Sequence, residues 1–266
     1  MPIRLNAVGT APTLRDELAS AKRPLIGMWL STGSPLVAEI CAGSGLDWVL
    51  IDAEHGPNDL TSILPQLQAL AAYPVTTLVR PPIGDTVLIK QYLEIGAQNL
   101  LIPLVETAEH AAELVRAVRY PPHGVRGVGS SLGRSSRWGR VKDYALNAGS
   151  TISLYLQLET STAVGNAAAI LAVDGVDGVF VGPADLAASM GRLGEQGHPD
   201  VVAAVESALA LARAAGKPAG VYASDPALAT RYIGAGADFV CVGADVSILA
   251  RGTEDLAARF IEGATS

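Results

Sequence analysis

Short runs of aliphatic and β-branched residues alternate along the chain with longer stretches in which apolar positions recur every three or four residues. The short runs predict strands over 25–30, 47–52, 75–80, 99–103, 152–158, 178–182, 219–223 and 239–243. The periodic stretches between them predict helices over 35–42, 60–71, 85–95, 107–118, 162–171, 199–215, 226–233 and 246–260. Leu64, Leu67 and Leu70 share one helical face, as do Ala111, Leu114, Val115 and Val118. Each strand is followed by a helix, and the strands are apolar along nearly their whole length, as in a parallel sheet covered on both faces. From Leu25 to Phe239 is 214 residues, or about 31 per unit over seven steps, which suits a (β/α)8 barrel of ~250 residues. No linker divides the chain, so we expect one barrel domain over 1–266 with its core at about 24–262, and an open doubly wound sheet as the competing architecture.

One interval breaks the rhythm. Residues 120–150 lack periodicity and carry Arg126, Arg134, Arg137, Arg140 and Lys142. A segment of that length between strands four and five is expected to cover the active site, dock on a neighbouring subunit or lie as a solvated loop.

Composition narrows the function classes. The chain has 266 residues, is 49% hydrophobic and 17% charged, and carries a net charge of −7. It has material for a large core and lacks the positive field that nucleic acid or an anionic membrane requires. No apolar stretch reaches the ~18 residues of a membrane span. The N-terminal residues are interrupted by charge, so no secretory signal is expected. Cys41 and Cys241 are too few for a disulfide framework and suit a reducing compartment. A cytoplasmic protein is the expectation.

In a β/α barrel the chemistry lies at the carboxyl ends of the strands. Strand two ends in VLIDAEHGP, placing Asp52, Glu54 and His55 there; strand three ends in LVRPP, placing Arg80 there. Strand five ends in LQLET, with Gln157 and Glu159, and strand six in VFVGPADL, with Asp185. Asp225 and Asp245, after strands seven and eight, suit helix N-caps. Glu159 and Asp185 come from adjacent strands, and two carboxylates held together repel unless a proton or cation lies between them. An oxygen-only pair suits Mg²⁺ or Mn²⁺, with positions left for water and substrate. The Gly182–Pro183 turn leads Ala184 and Asp185 into a helix start, where backbone N–H groups favour a carboxylate. Lys22, Lys90, Lys142 and Lys217 all fall away from strand carboxyl ends, which argues against a Schiff base. The G-x-S-x-G string around Ser131 lies in the irregular segment and lacks the strand–turn–helix setting of a nucleophile elbow.

The motifs WVLIDAEHGPND, LVRPP, YPPHGVRGVGSS with SRWGR, LQLET and GVDGVFVGPADL together resemble the metal-dependent (class II) pyruvate aldolases, typified by 4-hydroxy-2-oxoheptanedioate aldolase, within the aldolase/citrate lyase group. The resemblance runs from about Gly27 to Phe260. It implies a (β/α)8 barrel, assembled as a homohexamer, with a divalent ion: Mg²⁺ or Mn²⁺, with Co²⁺ or Zn²⁺ as substitutes. It implies Glu159 and Asp185 as metal ligands, His55 as acid/base and Arg80 as the group stabilising an enolate. Gln157, Gly182, Ala184 and Asp185 match substrate-contacting positions, and Asp52 matches a carboxylate near the His. Glu94 falls where relatives carry an Asp that tunes the His. The implied reaction is reversible aldol cleavage of a 4-hydroxy-2-oxo acid to pyruvate or hydroxypyruvate plus an aldehyde. Decarboxylation of oxaloacetate in the same pocket, or a non-catalytic barrel that binds oxo acids, are the competing functions.

Overall fold

In the computed structural model, which describes residues 11–261, eight parallel strands close into a barrel in chain order. They are β1 (Leu25–Leu30), β2 (Trp48–Asp52), β3 (Thr76–Arg80), β4 (Asn99–Ile102), β5 (Ser153–Leu158), β6 (Gly178–Val181), β7 (Ala219–Tyr222) and β8 (Phe239–Ala244), with β8 pairing back onto β1. The outer layer holds α2 (Pro35–Ala42), α3 (Leu60–Leu70), α4 (Thr86–Glu94), α5 (Ala108–Val118), α7 (Ser161–Gly165), α8 (Ala167–Leu171), α9 (Pro183–Ser189), α10 (Pro199–Ala214) and α11 (Pro226–Ala235). Beyond these lie α1 (Leu14–Ser20), the short α6 (Tyr144–Asn147) and the last helix, α12 (Asp245–Phe260).

Side-chain alternation sorts the strand residues into two apolar bodies. Trp29, Trp48, Leu50, Leu78, Leu101, Tyr155, Phe180, Phe239 and Cys241 fill the barrel interior, while Val49, Ile51, Val79, Leu100, Leu154, Leu156 and Val240 pack outward under the helices. The interior alternates large and small residues. A Cβ on Gly27 would lie 2.2 Å from the Trp48 ring, and one on Gly220 2.5 Å from the Phe239 ring. The rings fill the space those glycines leave, with Trp48, Phe180 and Phe239 meeting edge-on or tilted at 5.6–6.4 Å.

The amino-terminal end of the barrel is closed by α1, which the hydrophobic pattern did not reveal. Thr13 and Asp16 form a capping box at its start. Leu14 is fully buried against the interior cluster, and its backbone N–H donates to Asn99 Oδ1 at 2.7 Å. Arg15 donates to Asp177 and to the carbonyls of Ile152 and Ser150.

The predicted strands agree with the observed ones to within one residue at either end. The helix expected over 162–171 is broken at Asn166, whose side-chain amide donates to the Glu106 carbonyl at 2.8 Å. A second element, α9, lies between β6 and α10, where only the longer helix was expected. Residues 120–150 form an irregular segment with two 3-10 turns and α6. The expectation that this segment covers the active site is not met within one chain. Helix α5 carries the chain back to the amino-terminal end, and the segment is pinned there. Arg134 donates to the carbonyls of Ile95 and Leu67, and fully buried Arg126 pairs with Glu94 at 2.8 Å under the Tyr120 ring. Among the described residues no helix is long and apolar enough to cross a membrane.

Candidate active site

The inward parity that lines the barrel with Trp48 and Leu50 continues to Asp52; in β3 it runs from Leu78 to Arg80, and in β5 from Tyr155 to Gln157. The carboxyl-terminal rim is therefore polar where the centre is aromatic. Arg80 and Asp52, only 4% and 1% exposed, sit at matching register positions on neighbouring strands. Asp52 takes the guanidinium in a fork: Arg80 Nε to Oδ1 and Nη2 to Oδ2, both at 2.9 Å. The third nitrogen, Nη1, lies 2.8 Å from Glu54 Oε2 and donates to Gln157 Oε1 at 3.4 Å. The Trp29 ring lies beneath, 5.3 Å from the guanidinium carbon. Every Arg80 nitrogen thus has a partner, and the cation is fixed facing the rim.

Glu159, 2% exposed, is held at both oxygens. The Leu104 backbone N–H donates to Oε1 at 2.7 Å, and the Gln157 amide donates to Oε2. Leu104 makes its bond from a left-handed conformation, φ 54°, that leucine seldom adopts. Burial pushes the Glu159 carboxyl up to about 7, the donors from Leu104 and Gln157 pull the other way, and the charges of Glu54 and Asp185 add to the rise. Gly182 leaves the space beside it: a Cβ there would lie 2.8 Å from Glu159 Oε2 and 3.1 Å from Gln157 Nε2. Asp185, with Ala184, projects from the exposed first turn of α9 at the same rim.

His55 is mostly exposed, and its Nε2 lies 3.8 Å from Glu54 Oε2. The loop that carries it is braced from behind, since the Asn58 amide donates to the Asp52 carbonyl at 2.8 Å and fully buried Gln66 donates to Asn58 Oδ1 at 2.7 Å. Glycine is required at position 56, where a Cβ would come within 2.5 Å of the Asp52 carbonyl oxygen.

The structure therefore brings Asp52, His55, Arg80, Gln157, Glu159, Gly182, Ala184 and Asp185 to one rim. Glu94 is not among them. It ends α4, which runs away from that rim, and its carboxylate serves Arg126 and Ser135. Within one chain Glu94 therefore does not reach His55. Asp225 caps α11 as expected, whereas Asp245 does not cap α12. Asp245 is the helix's first residue, and its buried carboxylate accepts from the N–H groups of Ser31 and Thr32 and from the Thr32 hydroxyl, tying the loop after β1 to the end of β8. Sequence reasoning placed Glu54 at the rim but gave it no partner, and it missed Asn58, Gln66 and Leu104 altogether. The place of Asn58 inside the WVLIDAEHGPND run, close after Asp52, was the one available signal.

The closed β/α barrel thus gathers a clamped arginine, an exposed imidazole and two carboxylates at its carboxyl-terminal rim, a donor set with the chemistry to take an oxo acid. Sequence comparison agrees: residues 25–251 match the family described as HpcH/HpaI aldolase/citrate lyase, and the chain belongs to that family. It is 54% identical to the hydroxypyruvate/pyruvate aldolase of Deinococcus radiodurans, across 97% of this chain and 92% of that one. It is 53% identical to the 4-hydroxy-2-oxo-heptane-1,7-dioate aldolase of Salmonella dublin, across 92% of this chain and 93% of the other. A crystal structure of a family member from Burkholderia cenocepacia J2315 superposes with a TM-score of 0.89 at 41% identity, covering 92% of this chain and 98% of that one.

Proposed function

We propose that the chain cleaves 4-hydroxy-2-oxo acids reversibly to pyruvate or hydroxypyruvate plus an aldehyde, with a divalent cation held by Glu159 and Asp185. The observation that carries this reading is the clamped Arg80 beside the Gln157–Glu159 pair at one rim. The donor set fits a hard cation. Glu159 is a buried carboxyl whose ionisation is opposed by its surroundings, a second carboxylate adds to that opposition, and Gly182 keeps the space beside its Oε2 clear. When bound, Mg²⁺ or Mn²⁺ supplies Lewis-acid polarisation of the substrate's keto oxygen.

The chain's own groups do the rest. Arg80, immobilised by Asp52, presents a fixed positive charge where negative charge develops on the keto oxygen during C–C cleavage. Gln157, bonded to both Arg80 and Glu159, holds the two in register, and Gly182 and Ala184 line the substrate's path at the start of α9. His55 accepts the C4 hydroxyl proton as the aldehyde forms and returns it in the condensation direction, a task suited to imidazole near neutral pH.

A homo-oligomer belongs to the same proposal. Helix α12 leaves its own barrel: among its residues only Asp245 is buried, and Leu249, Leu256 and Phe260 form one exposed apolar stripe. Outside β8 and β1, where an eighth helix would lie, Val242, Leu36 and Ile40 are exposed. A second copy's α12 has the chemistry to fill that slot.

The test is a retro-aldol screen over 4-hydroxy-2-oxo acids, assaying pyruvate and hydroxypyruvate release with saturating Mn²⁺ and with chelator. Cleavage restored by Mn²⁺ is expected. Full cleavage by chelated enzyme, or oxaloacetate decarboxylation with no cleavage of any hydroxy-oxo acid, would overturn the reading.

A further inference from the structure

We propose that Glu54 is the positioning residue for His55, and that the rim is wired as a relay in which Asp52 holds Arg80, Arg80 holds Glu54, and Glu54 holds the imidazole. The inference rests on the aldolase reading and assigns a task to a half-buried carboxylate whose Oε2 is out of solvent and otherwise unused.

Asp52 is the carboxylate that its sequence neighbourhood suggests for His55, and the structure shows why it is not free for that task. Its Oδ1 accepts from Arg80 Nε at 2.9 Å and from the Glu54 N–H at 3.1 Å, with the His55 N–H at 3.5 Å, and its Oδ2 faces Arg80 Nη2 at 2.9 Å. A carboxylate offers about four acceptor sites, and donors from Arg80 and the following backbone already fill them. Asp52 is also 1% exposed, whereas the His55 side chain is 67% exposed, so the imidazole stands outside the clamp rather than against it.

Glu54 is placed between the two. Its Oε2 contacts Arg80 Nη1 at 2.8 Å as an ion pair but receives no aligned hydrogen bond, and it lies 3.8 Å from His55 Nε2. That oxygen is a buried acceptor with unused capacity, and a buried acceptor gains by finding a donor. A small rotation of the exposed ring brings Nε2–H into hydrogen-bond range. The carboxylate itself cannot follow the ring outward, because Arg80 anchors it and Asp52 anchors Arg80. The other charges around Glu54 are Asp52 and Asp185, both negative, so Arg80 and His55 are its favourable partners. A fixed carboxylate behind a mobile imidazole holds the proton-transfer group in one orientation, and loss of that orientation costs roughly tenfold or more in rate.

The experiment uses the full chain saturated with Mn²⁺ and compares Glu54→Gln, Glu54→Asp, His55→Ala and the double variant Glu54→Gln/His55→Ala. If Glu54 acts through His55, Glu54→Gln lowers retro-aldol kcat by about tenfold or more with little change in KM. It lowers oxaloacetate decarboxylation less, because that reaction forms no aldehyde from a hydroxyl. It also adds no further loss in the His55→Ala background, and Glu54→Asp recovers part of the rate. Equal losses in both reactions, or an undiminished Glu54→Gln effect without His55, would overturn the proposal. A second measurement is independent of turnover: ¹⁵N relaxation of the His55 ring should report a more mobile imidazole in Glu54→Gln than in wild type. Equal mobility in the two proteins would also reject Glu54, whereas absence of retro-aldol turnover in wild type would reject the aldolase reading alone.

Discussion

Replacing Glu159 by Gln should change how the metal-free protein responds to pH. In the fold the Glu159 carboxyl is raised from 4.5 to about 7, with burial the largest cause. A group raised on folding binds more protons in the folded state between those two values, so its contribution is fully present below about pH 4.5 and is lost as pH rises through 7. At 1.36 kcal/mol per unit, a rise of that size corresponds to roughly 3 kcal/mol of stability lost across the window. For a chain of this size that is a drop in Tm of roughly 5–10 °C. The assay is thermal or urea unfolding in chelator at pH 5 and pH 8, wild type against Glu159→Gln. Wild type should lose the larger share of its stability at pH 8, and the variant, with nothing to ionise at that position, should lose less by about the stated amount. Mn²⁺ at 100 times its Kd should then raise wild-type stability at pH 8 by about 2.7 kcal/mol and leave the variant nearly unmoved. Parallel pH responses in the two chains would refute the account of Glu159 as a strained buried carboxyl, and equal protection by Mn²⁺ would remove it from the metal site.

Four further outcomes test separate parts of the rim and the assembly. Arg80→Met should slow exchange of the pyruvate C3 protons in D₂O by ~10²-fold or more, and unchanged exchange would remove Arg80 from the chemistry. The same variant strands the buried Asp52 carboxylate and should cost ~3–5 kcal/mol in urea unfolding. Gly182→Ala places its methyl 2.8 Å from the tip of Glu159, so calorimetric Mn²⁺ affinity should fall by ~10-fold while the fold survives; undiminished affinity would show that Glu159 does not need that space. Leu249→Glu with Leu256→Glu should convert the assembly to a smaller species in sedimentation, and a wild-type monomer or an unaltered assembly would dispose of the proposed helix exchange.

The strands were legible because a parallel sheet buried on both faces leaves short continuous apolar runs such as WVLI and LIGMWL, rich in β-branched and aromatic residues. The rim residues followed from the strand ends, since a polar side chain immediately after such a run has only the rim to occupy. What escaped had weaker physical signatures. Helix α1 depends on two apolar residues, Leu14 and Leu18, and on a bond from the Leu14 backbone N–H to an Asn99 side chain 85 residues away. Helix α9 is only seven residues long and begins on a Gly-Pro turn that reads equally well as a loop. Glu94 lies away from its own chain's rim, because a motif gives a position along the chain and not the direction in which a helix carries it. Glu54 was underweighted for the opposite reason. It flanks His55 in sequence, and only in the folded barrel does Arg80 hold its carboxylate within reach of the imidazole.

The separation of inward from outward strand positions has a bearing on how such a catalyst can change. A substitution at an inward position near the top alters what the enzyme sees of its substrate and leaves the seam between strands and helices intact; one at an outward position does the reverse. New aldehyde preferences can therefore be tried at little risk to the scaffold, provided the changes are replacements. Adding or deleting a single residue inside β2 would exchange Asp52 for an aliphatic neighbour, bury a carboxylate among the helices and cost the protein its reaction and its integrity together.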